Sequence, residues 1–124
     1  MTKHKVSELE GALLDAAVAK AEGMQYETAT ARTAYACDVG APIVGFTQDG
    51  PITFNPSKRW AEGGPIIERE RIDVLSSYPG WEAFGRCHPS ARLKDAAGVY
   101  GPAPLIAAMR AYVASKFGDE VELT

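Results

Sequence analysis

Residues that carry metal or thiol chemistry are scarce in this sequence. Its 124 residues include two cysteines and two histidines, and no C-x-x-C or H-x-x-x-H pair occurs. Cys87 and His88 are adjacent, which is a poor geometry for one tetrahedral ion, and Cys37 is the third ligand on offer. A cysteine nucleophile would need a base and an orienting group, and none is evident. We therefore expect no metal site and no cysteine catalysis.

Sequence motifs of three large enzyme classes are missing as well. The chain has no G-x-S-x-G elbow, no G-x-x-x-x-G-K-[ST] loop and no G-x-G-x-x-G turn. Glu68 and Glu70 form an acidic pair, but residues two apart on a helix point in different directions. A reaction that uses either carboxylate beside Arg69 or Arg71 is thus the last-ranked of three functional hypotheses. The sequence leans against an enzyme and indicates no catalytic residue and no cofactor.

Neither a basic excess nor a long apolar run is present. The formal net charge is -3, which argues against a general nucleic-acid coat. No apolar run reaches the length of about 18 residues that a membrane span needs, and the N-terminal segment lacks the apolar core of a secretory signal. We therefore expect a cytoplasmic protein with reduced cysteines. The length and the 46% hydrophobic content fit one globular domain over residues 1–124.

Helical periodicity is clear near the N-terminus. Ser7 and Glu10 match an S-x-x-E capping box, which predicts a helix from about 8 to 22 that ends before Gly23. His4 precedes this helix, in a terminus that we expect to be frayed. Acidic side chains recur every seven residues and should mark the solvent-facing side of the helix: Glu8, Asp15 and Glu22.

A second strong helix lies near the C-terminus. Apolar residues of PLIAAMRAYVASKFG follow helical spacing. Pro104 is suited to the first turn and Gly118 to the position after the last one. Arg110, on this helix, should face outward or lie at an edge.

Turn signals and β-forming residues predict several short strands between the two helices. The Asp49-Gly50 pair predicts a hairpin. The segment from Cys87 to Pro104 carries three prolines and indicates a long loop. The expected strands cover residues 30–38, 43–47, 51–54, 72–75 and 81–86, with another through Val121 and Leu123. The predicted fold class is α+β, with two terminal helices packed on a small, mainly antiparallel sheet and a short central helix.

The stretch WAEGGPIIERER, Trp60 to Arg71, is the best candidate for a binding site. Its Gly-Gly pair should break a helical turn, and Pro65 should then take the first position of a short helix. N–H groups at a helix N-terminus bind anions, glycine lets a ligand approach the backbone, and tryptophan offers a stacking face. The candidate ligand-binding residues are Lys58, Arg59, Trp60, Gly63, Gly64, Arg69 and Trp81, with Tyr78 as further aromatic surface.

A competing interpretation of this stretch is purely structural. Large aromatic side chains are mostly buried for packing. Trp60 would then lie in the core against Leu105 and Met109, and the Gly-Gly-Pro sequence would only end a helical turn. The charged residues that follow would form the solvated side of a helix.

Four blocks of the sequence resemble the NinX-like family of phage and prophage proteins. The first helix has Ala16 where members often carry an aromatic residue, and the segments 28–44 and 86–99 match no block of the family. The motif WAxGGPIIERE, at 60–70, and the block at 104–121 are the most specific. The four blocks, in chain order and over about two-thirds of the chain, are VSELEGALLDAAVAKAEG, FNPSKRWAEGGPIIERERI, WEAF and GPAPLIAAMRAYVASKFGDEVEL.

The resemblance implies a phage or prophage accessory protein expressed in the host cytoplasm. It implies no catalytic residue, because the activity of the family is not established. The first hypothesis is a non-enzymatic binder of a nucleotide-like anion that sequesters a host signalling molecule, with a homo-oligomer as the usual format. The alternative is a protein-interaction module, with a host or phage protein as its partner, that modulates replication or recombination functions through the charged ERER helix.

Overall fold

The computed structural model of the chain describes residues 2–28, 41–48, 50–84 and 98–123. Within them, three α-helices and eight strands in three small antiparallel sheets form an α+β fold. The helices are α1 (Gly11–Ala21), α2 (Trp60–Glu70) and α3 (Pro104–Phe117), and a 3-10 turn covers Val6–Glu8. The strands are β1 (Thr2–Lys5), β2 (Glu27–Thr28), β3 (Pro42–Thr47), β4 (Gly50–Thr53), β5 (Asp73–Ser77), β6 (Gly80–Phe84), β7 (Val99–Gly101) and β8 (Glu120–Leu123).

The first strand of the chain pairs with the last one. β1 and β8 are antiparallel, with His4 opposite Val121. The expectation that His4 lies in a frayed terminus was therefore wrong. Val121 and Leu123 are buried, so the pairing is held by burial at one face of β8 rather than by any strong strand signal in the sequence before residue 6.

The start of α1 differs from the prediction. The capping box at Ser7 and Glu10 does not form, because Glu10 is itself the N-cap residue and makes no side-chain cap hydrogen bond. Leu9 is buried and extended, and the chain enters the helix through Gly11 at φ +58°. Burial of Leu9 therefore decides where this helix begins, and glycine permits the left-handed turn. The end before Gly23, which has φ +71°, is as predicted.

The central helix α2 runs through the Gly-Gly-Pro sequence that was expected to break it. Trp60 occupies the first helical position, and Pro65 lies inside the helix rather than at the start of a second one. Pro65 has no N–H to donate to the preceding turn. Gly63 and Ile66, on either side of Pro65, are both buried, and their packing against the rest of the protein compensates for this missing hydrogen bond.

Two β-hairpins connect the helices. β3 and β4 confirm the predicted hairpin around Gly50, whereas the predicted strand at 30–38 lies outside the described residues. β5 and β6 confirm the next pair, and β7 pairs with β6 in the same sheet. The expectation of one long loop from Cys87 to Pro104 was wrong at its end, because Val99–Gly101 is a strand.

The core forms where the β5–β7 sheet and α1 pack on α3. A Cβ at Gly101 would lie 2.5 Å from the Ala107 nitrogen, so β7 and α3 are in close backbone contact. The end of α3 before Gly118, at φ +84°, confirms the prediction for this helix. No helix in the described part of the chain is both long and apolar enough to cross a membrane. The largest buried apolar side chains are those of Leu9, Leu14, Val18, Met109, Tyr112 and Val113.

Arg110 is buried in this core rather than facing outward. Its side chain is 6% exposed. The guanidinium Nε donates to the Leu9 carbonyl at 2.7 Å, and Nη1 donates to the Tyr100 carbonyl at 3.0 Å. The prediction of an outward arginine was wrong, because periodicity alone does not show that two carbonyl groups of other segments need a donor here.

Candidate functional site

The loop that leads into Trp60 is held by a buried carboxylate. Asp15 is fully buried on α1, and its Oδ1 accepts a hydrogen bond of 2.9 Å from the Ser57 backbone N–H. Its Oδ2 accepts a longer bond, 3.4 Å, from the Asn55 side-chain amide. Burial raises the pKa of Asp15 above its ordinary value, although these hydrogen bonds oppose the shift. The expectation that Asp15 marks the solvent-facing side of α1 was wrong.

Asn55 organises the rest of the same loop. Its carbonyl accepts the backbone N–H groups of Lys58 and Arg59, at 3.1 and 2.9 Å. Its side-chain oxygen accepts the Thr53 hydroxyl at 2.6 Å, and its backbone N–H donates to the Glu62 carboxylate. These hydrogen bonds of Asn55 hold the loop, and with it the start of the following helix, in a fixed orientation.

Trp60 lies at the surface, at the first helical position after this loop. Its side chain is 58% exposed, and the adjacent Lys58 and Arg59 are exposed as well. Trp60 is therefore not a core residue packed beneath α3, as the structural interpretation required. We refer to residues 55–60 together with Gly64 as the Trp60 corner.

The two central glycines have different surroundings. A Cβ at Gly63 would lie 2.5 Å from the Pro56 carbonyl oxygen and 2.7 Å from Leu105 Cδ2. A Cβ at Gly64 would meet nothing within 4 Å. Gly63 thus allows α2 to pack closely on the loop and on α3, whereas Gly64 leaves bare backbone one turn after Trp60, on the same side of the helix.

The charge at the Trp60 corner is mixed. Arg59 Nη1 lies 3.5 Å from a Glu62 carboxylate oxygen, and both residues belong to the first turn of α2 or its cap. Glu62 therefore already satisfies part of the positive potential at the helix N-terminus. Exposed ion pairs of this kind are weak, so an anionic ligand with several negative charges can compete for Arg59.

Arg69 lies away from Trp60. It follows nine residues later, about two and a half helical turns, and so projects from the opposite side of α2. Its guanidinium donates two hydrogen bonds to the Glu22 carboxylate, at 3.0 and 2.7 Å, and a third to Glu70 at 3.0 Å. Hydrogen bonds to these carboxylates raise its pKa further. Arg69 therefore joins α2 to the end of α1.

Tyr112 completes the cluster around Arg69. Its hydroxyl donates to Glu22 Oε2 at 2.7 Å, and its ring lies 5.7 Å from the Arg69 guanidinium carbon. Burial raises the pKa of Glu22, but the hydrogen bonds from Arg69 and Tyr112 lower it more, so the net shift is downward. Glu22 is thus part of a structural cluster, and the expectation that it only marks a solvated face was wrong.

The remaining predicted aromatic residues are separated from one another. Trp81 is half-buried on β6 and packs against the core, whereas Tyr78, in the β5–β6 turn, is 97% exposed. The structure therefore brings together Lys58, Arg59, Trp60 and Gly64 from the predicted set. Gly63, Arg69 and Trp81 take packing or ion-pair positions.

A metal site would need several ligand side chains close together within the described residues. Among them no group of three His, Cys, Asp or Glu side chains is arranged to hold a metal ion. Cys37, Cys87 and His88 lie outside the described residues. Three open grooves of about 350, 400 and 270 Å³ lie beside β1 and β8, and Trp60 lines none of these three.

Asp15 and Arg110 are the polar residues that sequence reasoning missed. A signal for both was present. Each is a single charged residue inside an otherwise apolar stretch, LLDAAV for Asp15 and AAMRAYV for Arg110. A lone charge on the buried stripe of a helix predicts a hydrogen-bonding role in the core, since it is costly to bury unpaired.

A comparison with protein families identifies the chain. The family model described as Bacteriophage P22, NinX matches residues 5–116. The chain belongs to the NinX family. The matched range includes the Trp60 corner and all three helices, except the last residue of α3. It also includes the segments 28–44 and 86–99, which resembled no block of the family. Among curated proteins, nothing matches the chain.

Proposed function

We propose that this NinX-family protein is a phage accessory protein that binds a nucleotide-like anion at the Trp60 corner without catalysing a reaction on it. The observation that carries the proposal is the 58% exposure of Trp60 at the first position of α2. Burial of an aromatic side chain is strongly favourable, so a protein that leaves a tryptophan ring in water gives up this contribution to its stability. An exposed aromatic ring at a helix start that hydrogen bonds hold in place is typical of a stacking platform.

The surroundings of Trp60 suit a planar anion. The indole face would stack on a base, an interaction that tolerates different bases. Lys58 and Arg59 would pair with phosphate oxygens, and arginine can do so through two parallel hydrogen bonds. The bare backbone at Gly64 leaves room for the ligand beside the ring. The hydrogen bonds of Asp15 and Asn55 hold the corner in place before binding, which lowers the entropic cost of association.

Calorimetry with purified protein tests this proposal. A panel of mono-, di- and cyclic nucleotides should include at least one that releases or absorbs heat with a stoichiometry of one per Trp60 corner or one per pair of corners. Trp60→Ala should abolish that signal and leave the circular dichroism spectrum unchanged, because the ring is exposed. Absence of heat for every nucleotide would remove the proposal.

Gly64 offers a matched pair of variants for the same assay. Gly64→Leu should fill the space beside Trp60 and weaken nucleotide binding, whereas Gly64→Ala should weaken it little. Both residues favour helix over glycine, so neither variant should unfold the protein. Equal affinity of the two variants would show that the ligand does not lie at this side of α2.

We place the protein in the cytoplasm of the host, where a sequestered signalling nucleotide would occur, and we propose a homo-oligomer as the binding form. Sedimentation with and without the bound nucleotide tests the assembly.

A protein-interaction module is the second candidate function, with a host or phage protein as partner and an effect on replication or recombination. A specific observation favours it. Three large side chains on or beside the β5–β7 sheet are exposed: Leu75 at 56%, Tyr78 at 97% and Tyr100 at 46%. Exposed aromatic residues of this kind are enriched in protein interfaces.

Crosslinking through this sheet in infected cells should return the same partner repeatedly; a reproducible absence of any crosslinked protein would contradict this candidate.

A further inference from the structure

The solvent-facing side of the β5–β7 sheet carries two aromatic rings that lie over glycines. A Cβ at Gly98 would be 2.8 Å from Phe84 Cζ, so the Phe84 ring covers Gly98. A Cβ at Gly80 would overlap the Tyr100 ring, so that ring covers Gly80. Because glycine has no side chain, both rings can approach the sheet closely. These rings share one face of the sheet with Leu75 and Glu82, and we call this surface the sheet face and define it as Leu75, Glu82, Phe84 and Tyr100.

The carboxylate of Glu82 lies in the row between the two rings, and a second one, that of Asp73, is opposite Phe84 on the same face. Leu75, Glu82 and Tyr100 are cross-strand neighbours in one row of the sheet. Glu82 Oε1 accepts the Ser77 hydroxyl at 2.9 Å, and Oε2 accepts the Gly98 N–H at 3.3 Å. These two neutral donors hold the carboxylate in place and leave its negative charge without compensation from either of them.

The negative charge of Glu82 indicates which kind of partner the sheet face can bind. Residues 73–84 and 98–101, which form the sheet and its β5–β6 turn, contain no lysine or arginine. Single-stranded nucleic acid also stacks on aromatic rings, but it requires a positively charged groove. A carboxylate flanked by aromatic rings instead fits a cation that packs on the rings and pairs with the carboxylate, and arginine does both.

We propose that the sheet face docks a basic segment of a protein partner, with an arginine side chain over Tyr100 or Phe84 and its guanidinium paired with Glu82. This inference rests on the second proposed function and specifies the surface and the chemistry of the partner. It is independent of nucleotide binding at the Trp60 corner, which uses charges of the opposite sign.

A titration with a synthetic heptapeptide of alternating glycine and arginine tests the inference. In amide correlation spectra of the intact protein, the peptide should shift the resonances of Leu75, Glu82 and Tyr100. Glu82→Gln should weaken binding about tenfold, as expected for loss of one charge-assisted contact. Glu120→Gln, which removes an exposed carboxylate from β8, is the matched control and should leave the affinity unchanged.

Several outcomes would overturn the inference. Equal weakening in both variants would show a general attraction to a protein of net charge -3. Shifts at the sheet face on dilution without peptide would assign the surface to a second copy of the chain, and shifts with a single-stranded oligonucleotide instead of the peptide would assign it to nucleic acid. Tyr100→Leu keeps an apolar side chain and should weaken the peptide about threefold through loss of the ring; no change would contradict the stacking role.

The same titration distinguishes failure of the sheet-face inference from failure of the proposed protein-interaction function. If the peptide leaves the sheet face unchanged while a crosslinked partner from infected cells maps to another surface, the module function stands and the sheet face is not its site. If neither binds, both fail.

Discussion

The buried carboxylate of Asp15 accepts a hydrogen bond of 2.9 Å from the Ser57 backbone N–H, 42 residues further along the chain. This bond links α1 to the loop that leads to Trp60. Since a buried charge without hydrogen-bond partners is very costly, the loop must adopt the conformation that supplies those partners whenever α1 is packed. The position of the Trp60 corner is therefore a consequence of core packing.

Removal of the Asp15 carboxylate should destabilise the protein. In Asp15→Ala the Ser57 N–H loses its acceptor in a buried position, which costs about 1–3 kcal/mol of unfolding free energy. Urea unfolding measures the difference. Glu8→Ala, in the exposed part of the 3-10 turn, is the control and should stay within about 0.5 kcal/mol of the wild type. Similar losses in both variants would show that Asp15 has no special role.

The two glycines of α2 should respond in opposite directions to the same change. Gly63→Ala places a methyl group against the Pro56 carbonyl and Leu105 and should cost about 1–3 kcal/mol through overpacking. Gly64→Ala adds a methyl group in open space and should increase stability by about 0.5–1 kcal/mol, because alanine favours the helix. Thermal unfolding of the two variants measures this. A stabilising Gly63→Ala would contradict the close packing of α2.

Replacement of the buried Arg110 should weaken the contacts that join α3 to the segment before α1 and to β7. Arg110→Met keeps most of the apolar stem but leaves the Leu9 and Tyr100 carbonyls without their donor. We expect a loss of about 2–4 kcal/mol, because the Leu9 acceptor is buried and the Tyr100 acceptor is partly buried. Hydrogen exchange should rise first in the segment before α1 and in β7. Exchange that rises uniformly, or not at all, would show that Arg110 does not join these segments.

Much of the fold follows from local sequence signals. Gly23, Gly118 and the hairpin glycine at 50 fix element ends because few other residues adopt the required backbone angles. The strands around β5 and β6 follow from their β-forming residues. These features depend on a few neighbouring positions, and for that reason one sequence is enough to predict them.

The predictions from sequence were wrong where contacts between distant parts of the chain decide the structure. Burial of Leu9, rather than the capping box at Ser7, decides where α1 begins. Packing of Gly63 against Leu105 keeps α2 continuous where a break was expected. Asp15 looked like a solvent-facing residue because its partners lie 42 residues away. The candidate site was predicted only in part for the same reason: Trp60 and its basic neighbours are close in sequence, whereas the ion pair of Arg69 with Glu22 is not.

The Glu22 cluster should make stability depend on pH. Because its folded-state pKa is lowered, Glu22 stabilises the protein fully above its unfolded value of about 4.5, and this contribution is lost as the pH falls through the lower folded value. Between pH 6 and pH 3 the wild type should therefore lose up to about 1 kcal/mol more unfolding free energy than Glu22→Gln. Tyr112→Phe removes one hydrogen bond to Glu22 and should show an intermediate loss. A Glu22→Gln protein with the pH dependence of the wild type would contradict this assignment.

The central claim is that a nucleotide-like anion stacks on Trp60, and fluorescence of a single tryptophan tests it most directly. The chain has two tryptophans, and Trp81→Phe, a conservative change at a half-buried position, leaves Trp60 as the sole emitter. Titration of Trp81→Phe with the nucleotide panel should give saturable quenching of the Trp60 emission over the concentration range that produces heat in calorimetry. Emission that stays unchanged at saturating concentrations of every nucleotide would contradict the claim.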